Sequence, residues 1–164
     1  MGKSVDEIIA GYDPNRHWDE VNLRDKRYLE RMPEVWYFKK AILSHVARGG
    51  HIDLMLNMHN TETGEYVATQ ADDETSLAKM NVMYDHLLSA TSFDPSPPQK
   101  LRTSERASGN TNWLYQEAHI PVMLMEQRIG FSTKLNRWPT VRDRLEFGPA
   151  LLSAMAAGAR PGGK

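Results

Sequence analysis

Apolar residues recur along the chain with two different periods, and these periods predict an alternation of helices and strands. Spacings of three and four residues, typical of one buried helix face, mark three segments. The first begins at Pro33, the second begins after Asp72, and the third follows the capping residue Thr140 and runs through Ala157. Five apolar residues are predicted to form the inner face of this last helix: Val141, Leu145, Leu151, Leu152 and Met155.

In the stretch His51–Asn60, large apolar side chains occupy every second position after a pair of glycines. Such a run predicts an interior strand of a sheet that is covered on both faces. His59 stands at its carboxyl end, which is where ligands bind in open α/β sheets. The alternative is a strand-end histidine that only hydrogen-bonds a neighbouring loop.

A second apolar run, Pro121–Glu126, also ends on a polar side chain, and Tyr66–Thr69 predicts a further short strand. Strands that alternate with helices indicate an α/β domain. Two core strands are few for such a sheet. The pattern is therefore a first indication that part of a larger fold is missing from this chain.

Composition narrows the class of protein without naming a function. The 164 residues predict one domain, residues 1–157, followed by a disordered Gly/Pro tail, residues 158–164. With 20 basic and 21 acidic residues, the chain is not expected to bind nucleic acid or a membrane surface through bulk charge. The absence of cysteine excludes disulfides and cysteine-based zinc sites. No apolar run reaches the roughly 20 residues of a membrane span, no secretion signal is visible, and the compartment stays open.

Three polar groups are candidates for chemistry. A glutamate at an apolar strand end, such as Glu126, has an environment that raises its pKa and suits a general base; alternatively it pairs with Arg128. His59 and Glu126 would face one cleft if their strands run in the same direction. The neighbouring Asn15 and Arg16 offer an amide and a guanidinium, and arginine binds carboxylates through two hydrogen bonds; the alternative is an ordinary turn. Together these groups suit hydrolysis of a peptide near its free carboxylate.

Three segments together resemble the zinc carboxypeptidases of the carboxypeptidase A type. Asp13–Trp18, with the sequence Asp-Pro-Asn-Arg-His-Trp, is similar to the Asn-Arg motif of that family. His59 at the end of its apolar strand resembles the downstream zinc histidine, and Trp113 followed by Glu126 resembles the segment of the catalytic glutamate. The resemblance runs from about Gly11 to the last helix, and order, spacing and strand context all agree.

The resemblance implies a mixed central sheet flanked by helices and a function in proteolysis, the zinc-assisted release of carboxyl-terminal residues. It implies that Asn15 and Arg16 hold the terminal carboxylate of a peptide or protein substrate, that His59 binds zinc and that Glu126 activates the attacking water. Thr111, two residues before the tryptophan, then lines the pocket for the departing side chain. Because Thr111 is small and uncharged, neutral carboxyl-terminal residues are the expected substrates.

The sequence also departs from the family, which takes two zinc ligands from a His-x-x-Glu motif upstream of the Asn-Arg pair. No histidine precedes Asn15 here, so the chain resembles the carboxyl-terminal part of the domain, truncated at its amino end. Two His-x-x-Glu strings occur elsewhere, at 17–20 and 59–62, but with 21 acids such coincidences are common. With one matched ligand of the three needed, the chain alone is expected to bind zinc poorly. The alternatives are a metal-free module that binds peptide carboxylates and an inactive fragment.

Overall fold

The computed structural model describes residues 4–14, 16–62, 64–95, 101–103 and 109–160. These residues form helices and strands in the order α1 (Val5–Ala10), α2 (Lys26–Arg31), α3 (Pro33–Ala47), β1 (Met55–Thr61), β2 (Tyr66–Thr69), α4 (Glu74–Ala90), β3 (Arg102–Thr103), α5 (Asn110–Ala118), β4 (Val122–Arg128) and α6 (Val141–Ala159). Of the described helices, none is both long enough and apolar enough to cross a lipid bilayer.

The four strands form one mixed sheet in the order β1-β4-β2-β3. Strand β4 runs parallel to β1 and antiparallel to β2, and the short β3 runs parallel to β2. The predicted mixed α/β fold is therefore confirmed, while the predicted truncation stays a prediction. Because β1 and β4 are parallel neighbours, their carboxyl ends meet at the same edge of the sheet.

The two faces of the sheet are covered by different helices. Side chains alternate between faces along a strand, and in β4 Met123 and Met125 face one core while Val122 faces the other. The first core contains residues of α4 and α6, such as Leu87 and Leu151. The second core contains residues of the helices α1, α2, α3 and α5 and of the segments between them. It comprises Ile8, Trp18, Val21, Tyr28, Met32, Val35, Trp113, Leu114, Ala118, Ile120 and Val122.

Strand β1 is less enclosed than its sequence predicts. It begins at Met55 rather than near His51, lies at one edge of the described sheet, and contains no buried residue. The prediction of an interior strand was wrong, and the strands with described neighbours on both sides are β4 and β2. The apolar pattern could not distinguish them, because hydrophobicity reports the faces of a strand and not the number of strands beside it.

The inner face of α6 also differs from its prediction. Leu151 is buried as predicted, but Leu152 is 66% exposed, and Val141 and Leu145 are exposed as well. At about 100° per residue, these three exposed residues lie roughly 120° around the helix from the buried face. That face is completed by three other buried residues, Phe147 and the small Ala154 and Gly158.

Helix α6 extends to Ala159, two residues beyond its predicted end. Gly158 is buried in it, and a Cβ atom at this position would lie 2.7 Å from the carbonyl oxygen of Lys79 and 2.8 Å from Cβ of Met83. Residues 158 and 159 therefore belong to the packed helix rather than to the predicted tail, of which residues 161–164 lie outside the described residues.

Candidate functional site

The structure brings His59 and Glu126 together at the carboxyl ends of β1 and β4. The two residues are register partners in the parallel ladder, so their side chains project from the same face of the sheet. Imidazole Nδ1 lies 3.6 Å from the Glu126 carboxylate Oε1, and the two side chains are 27% and 14% exposed, respectively. The predicted approach of these side chains is confirmed. The distance permits an ion pair but exceeds a hydrogen-bond length.

Glu126 lies in surroundings that favour a proton acceptor. Its second oxygen, Oε2, is buried and accepts no hydrogen bond from the described residues. Burial raises the pKa of the Glu126 carboxyl above its ordinary value of 4.5, and the charge of the nearby His59 opposes that rise. The ion-pair partner of Glu126 is His59, rather than the Arg128 that the sequence left as an alternative.

An open depression of about 480 Å³ lies beside His59 and is lined by Pro14, Met58, His59, Asn60 and Asn110. Pro14 immediately precedes the predicted carboxylate-binding pair, so the loop that carries the pair reaches this depression. Asn15 itself lies outside the described residues. Arg16 is exposed and its backbone N–H donates to the carbonyl of Asp13 at 2.9 Å. The role predicted for Asn15 and Arg16 stays a prediction.

The loop around Arg16 is held by Trp18, whose side chain is buried in the second core. Its indole N–H donates to the carbonyl of Pro14, and its ring packs against Trp113 with centroids 6.1 Å apart. His17 Nδ1 accepts a hydrogen bond from the backbone N–H of Asp13 at 2.9 Å. A tryptophan that was only part of a motif in the sequence therefore connects the loop to α5.

Helix α5 supplies polar groups next to the depression. Asn57, two residues before His59 and thus on the same face of β1, donates to Asn110 Oδ1 at 2.7 Å and to Thr111 Oγ1 at 3.4 Å. Thr111 is 1% exposed, while Asn110 lines the depression. The pocket role of Thr111 stays a prediction; Asn57 and Asn110 are the polar residues that sequence reasoning missed. The signal in the sequence was the spacing of Asn57 and His59, because residues two positions apart on a strand lie on the same face of the sheet.

This chain has a carboxypeptidase-like fold. It is similar to the crystal structure of a protein named "Putative carboxypeptidase A" from Shewanella denitrificans OS-217, with a TM-score of 0.64 and 18% sequence identity. The likeness covers 91% of this chain and 40% of that one, so the chain spans well under half of that protein's length. At this identity the likeness shows the fold alone. No protein-family model and no curated protein sequence matches the chain.

The described residues do not form a complete zinc site. They contain no group of three or more histidines, aspartates and glutamates that could hold a metal ion, and this applies to both His-x-x-Glu strings, at 17–20 and 59–62. Zinc requires three or four ligands, whereas His59 and Glu126 supply one imidazole and one carboxylate. We therefore assign no chemical step to zinc in the described part of the chain.

Proposed function

We propose that this chain carries one corner of a carboxypeptidase-type peptidase site, which releases carboxyl-terminal residues from peptides. The observation that carries the proposal is the His59–Glu126 pair at the ends of parallel strands, where one carboxylate oxygen of Glu126 accepts no hydrogen bond from the described residues. The carboxypeptidase-like fold supports the same reaction class.

In this reaction Glu126 acts as the general base. Its carboxylate takes a proton from the attacking water while the water oxygen bonds to the scissile carbonyl carbon. The carbon–nitrogen bond then breaks, and Glu126 returns the proton to the departing amine. A carboxyl pKa raised by burial brings this group closer to the pKa range suited to both transfers at neutral pH.

His59 is proposed as a single zinc ligand beside this base. The remaining ligands of such a site belong to groups outside the described residues, because those residues supply no three-ligand group. Asn15 and Arg16 are proposed to hold the substrate's terminal carboxylate, and the position of Pro14 in the wall of the depression supports this placement. With the uncharged Thr111 nearby, we expect neutral carboxyl-terminal residues to be preferred over basic ones.

The test is release of phenylalanine from a short peptide by the full chain across a series of zinc concentrations. Wild type should release phenylalanine slowly and in a zinc-dependent manner. Glu126→Gln should reduce the rate about 10²–10⁴-fold, the usual contribution of a general base, and His59→Ala should remove the zinc dependence. Rates in either variant equal to that of wild type would contradict the proposal.

The same peptide also distinguishes the proposed peptidase from the alternative function, a module that binds peptide carboxylates without hydrolysis. Its carboxamide-terminated counterpart has the same sequence without the terminal charge. Preferential binding of the free-carboxylate peptide, with no release at any zinc concentration, would favour the binding module. Substitution of Arg16 by methionine should remove that preference under either function, because the guanidinium is the proposed carboxylate ligand.

A further inference from the structure

Lys39 is a buried cation at a place where helix α3 meets the loop that follows Arg16. Its side chain is 4% exposed. The ammonium Nζ donates to the carbonyls of Trp18 and Val21 at 2.6 and 2.9 Å, and it lies 4.7 Å from the centroid of the Trp113 ring. One side chain therefore joins α3, the loop over residues 18–21 and α5.

Burial of this group carries an electrostatic cost. No described carboxylate lies within ion-pair distance of Lys39; Asp19 of the loop and Glu117 of α5 act on it only from farther away. Burial lowers the pKa of Lys39 to about 8, although both carboxylates raise it. A neutral amine still carries two N–H donors, so both carbonyl contacts are possible in either charge state. Both carbonyl contacts therefore depend on a donor of this length.

The contacts of Lys39 continue to the wall of the depression. The carbonyl of Trp18 accepts from Lys39, while the indole N–H of Trp18 donates to Pro14. Pro14 lines the depression next to His59. A buried donor on α3 is therefore connected, through one tryptophan, to the loop that carries Arg16.

We propose that Lys39 is a positioning residue that fixes Pro14 and residues 16–21 against α3 and α5 and so places Arg16 beside the depression. The consequence for substrate rests on the proposed function, since Arg16 is there the ligand of the terminal carboxylate. An apolar residue of the same length would fill the space but would leave two buried carbonyls without their donor. The loop would then lose its fixed position.

Two variants of the full chain test this with a matched control. Lys39→Met keeps the length of the side chain and removes its donors. Trp18→Phe removes the indole donor to Pro14 together with part of the buried ring that packs against Trp113. Lys40→Met is the control, because Lys40 is the exposed neighbour of Lys39 on α3. The first readout is hydrogen exchange of the Trp18 indole N–H, and the second is affinity for the free-carboxylate peptide and its carboxamide.

We expect Lys39→Met to speed exchange of the indole N–H. Both Lys39→Met and Trp18→Phe should weaken binding of the free-carboxylate peptide about tenfold or more, as expected for a ligand group displaced by roughly 1 Å. Binding of the carboxamide should not change, and Lys40→Met should match wild type. A general loss of structure would weaken binding of both peptides equally.

The proposal would be overturned if a folded Lys39→Met protein kept the wild-type rate of indole N–H exchange and the wild-type affinity for the free-carboxylate peptide. It would also be overturned if Lys40→Met lost as much affinity as Lys39→Met. If Lys39→Met does not fold, the Trp18→Phe variant tests the proposal in its place. Wild-type affinity of that variant for the free-carboxylate peptide would then overturn the proposal. If wild type does not distinguish the two peptides, the proposed carboxylate site fails. The exchange readout then still decides whether Lys39 positions the loop.

Discussion

Adjacent leucines on α6 allow a direct test of which face of this helix is packed. Leu151 is 5% exposed and Leu152 is 66% exposed, so the same substitution removes the same atoms from a buried and an exposed position. Leu151→Ala should lower the free energy of unfolding by about 2–5 kcal/mol, since it removes buried methyl groups and leaves a cavity. Leu152→Ala should change it by no more than about 0.5 kcal/mol.

Helix propensity changes equally in both variants and cancels in the comparison. Equilibrium urea denaturation measures the two free energies, and in a thermal scan Leu151→Ala should lower Tm by roughly 4–20 °C. Equal losses in the two variants, or a larger loss for Leu152→Ala, would refute the assigned orientation of α6. Such a result would favour the face that the sequence pattern predicted.

Three further outcomes follow from the structure. Gly158→Ala should destabilise the protein by about 1–3 kcal/mol in thermal unfolding despite the better helix propensity of alanine, because its Cβ would lie 2.7 Å from a backbone oxygen; a gain in stability would show that α4 and α6 are less closely packed. Burial lowers the pKa of Lys39 from 10.5 to about 8, so between these pH values the folded state binds fewer protons than the unfolded state. The free energy of unfolding of wild type, relative to that of Lys39→Met, should therefore rise with pH across this window by at most roughly 3 kcal/mol. A fall in this relative stability with rising pH, measured by urea denaturation at a series of pH values, would contradict the predicted sign. Zinc titration by calorimetry should give weak binding that is lost in His59→Ala, because one histidine cannot form a site alone; tight stoichiometric binding that survives this substitution would contradict it.

The sequence predicted the approach of His59 and Glu126 but not the polar residues around them. His59 and Glu126 could be identified because each ends an apolar strand, and parallel strands bring such ends together. Asn57 and Asn110 were missed because their importance depends on which helix packs over β1. Helix α5 itself carries little signal, since its first turn, Asn-Thr-Asn, has low helix propensity and no side-chain cap.

The wrong predictions for β1 and α6 have a common origin, because both features depend on packing between elements that are distant in the sequence. The apolar pattern of β1 did not reveal its edge position, because the number of neighbouring strands is a property of the whole sheet. For α6, the predicted face included Val141, Leu145 and Leu152, which are exposed. The buried face instead contains Phe147 together with the small residues Ala154 and Gly158. Small residues contribute little to an apolar pattern, but they allow two helices to approach closely.

The protonation of Glu126 tests the central claim, that this carboxylate is a buried base beside His59, most directly. Carbon-13 NMR of the glutamate carboxyl groups would follow Glu126 across pH in wild type and in His59→Ala, with Glu126→Gln to assign the signal. In wild type the pKa of Glu126 should lie above the ordinary 4.5 because of burial, and in His59→Ala it should rise further, because the charge of His59 lowers it. A pKa at or below 4.5, or one that does not respond to loss of the imidazole, would contradict the claim.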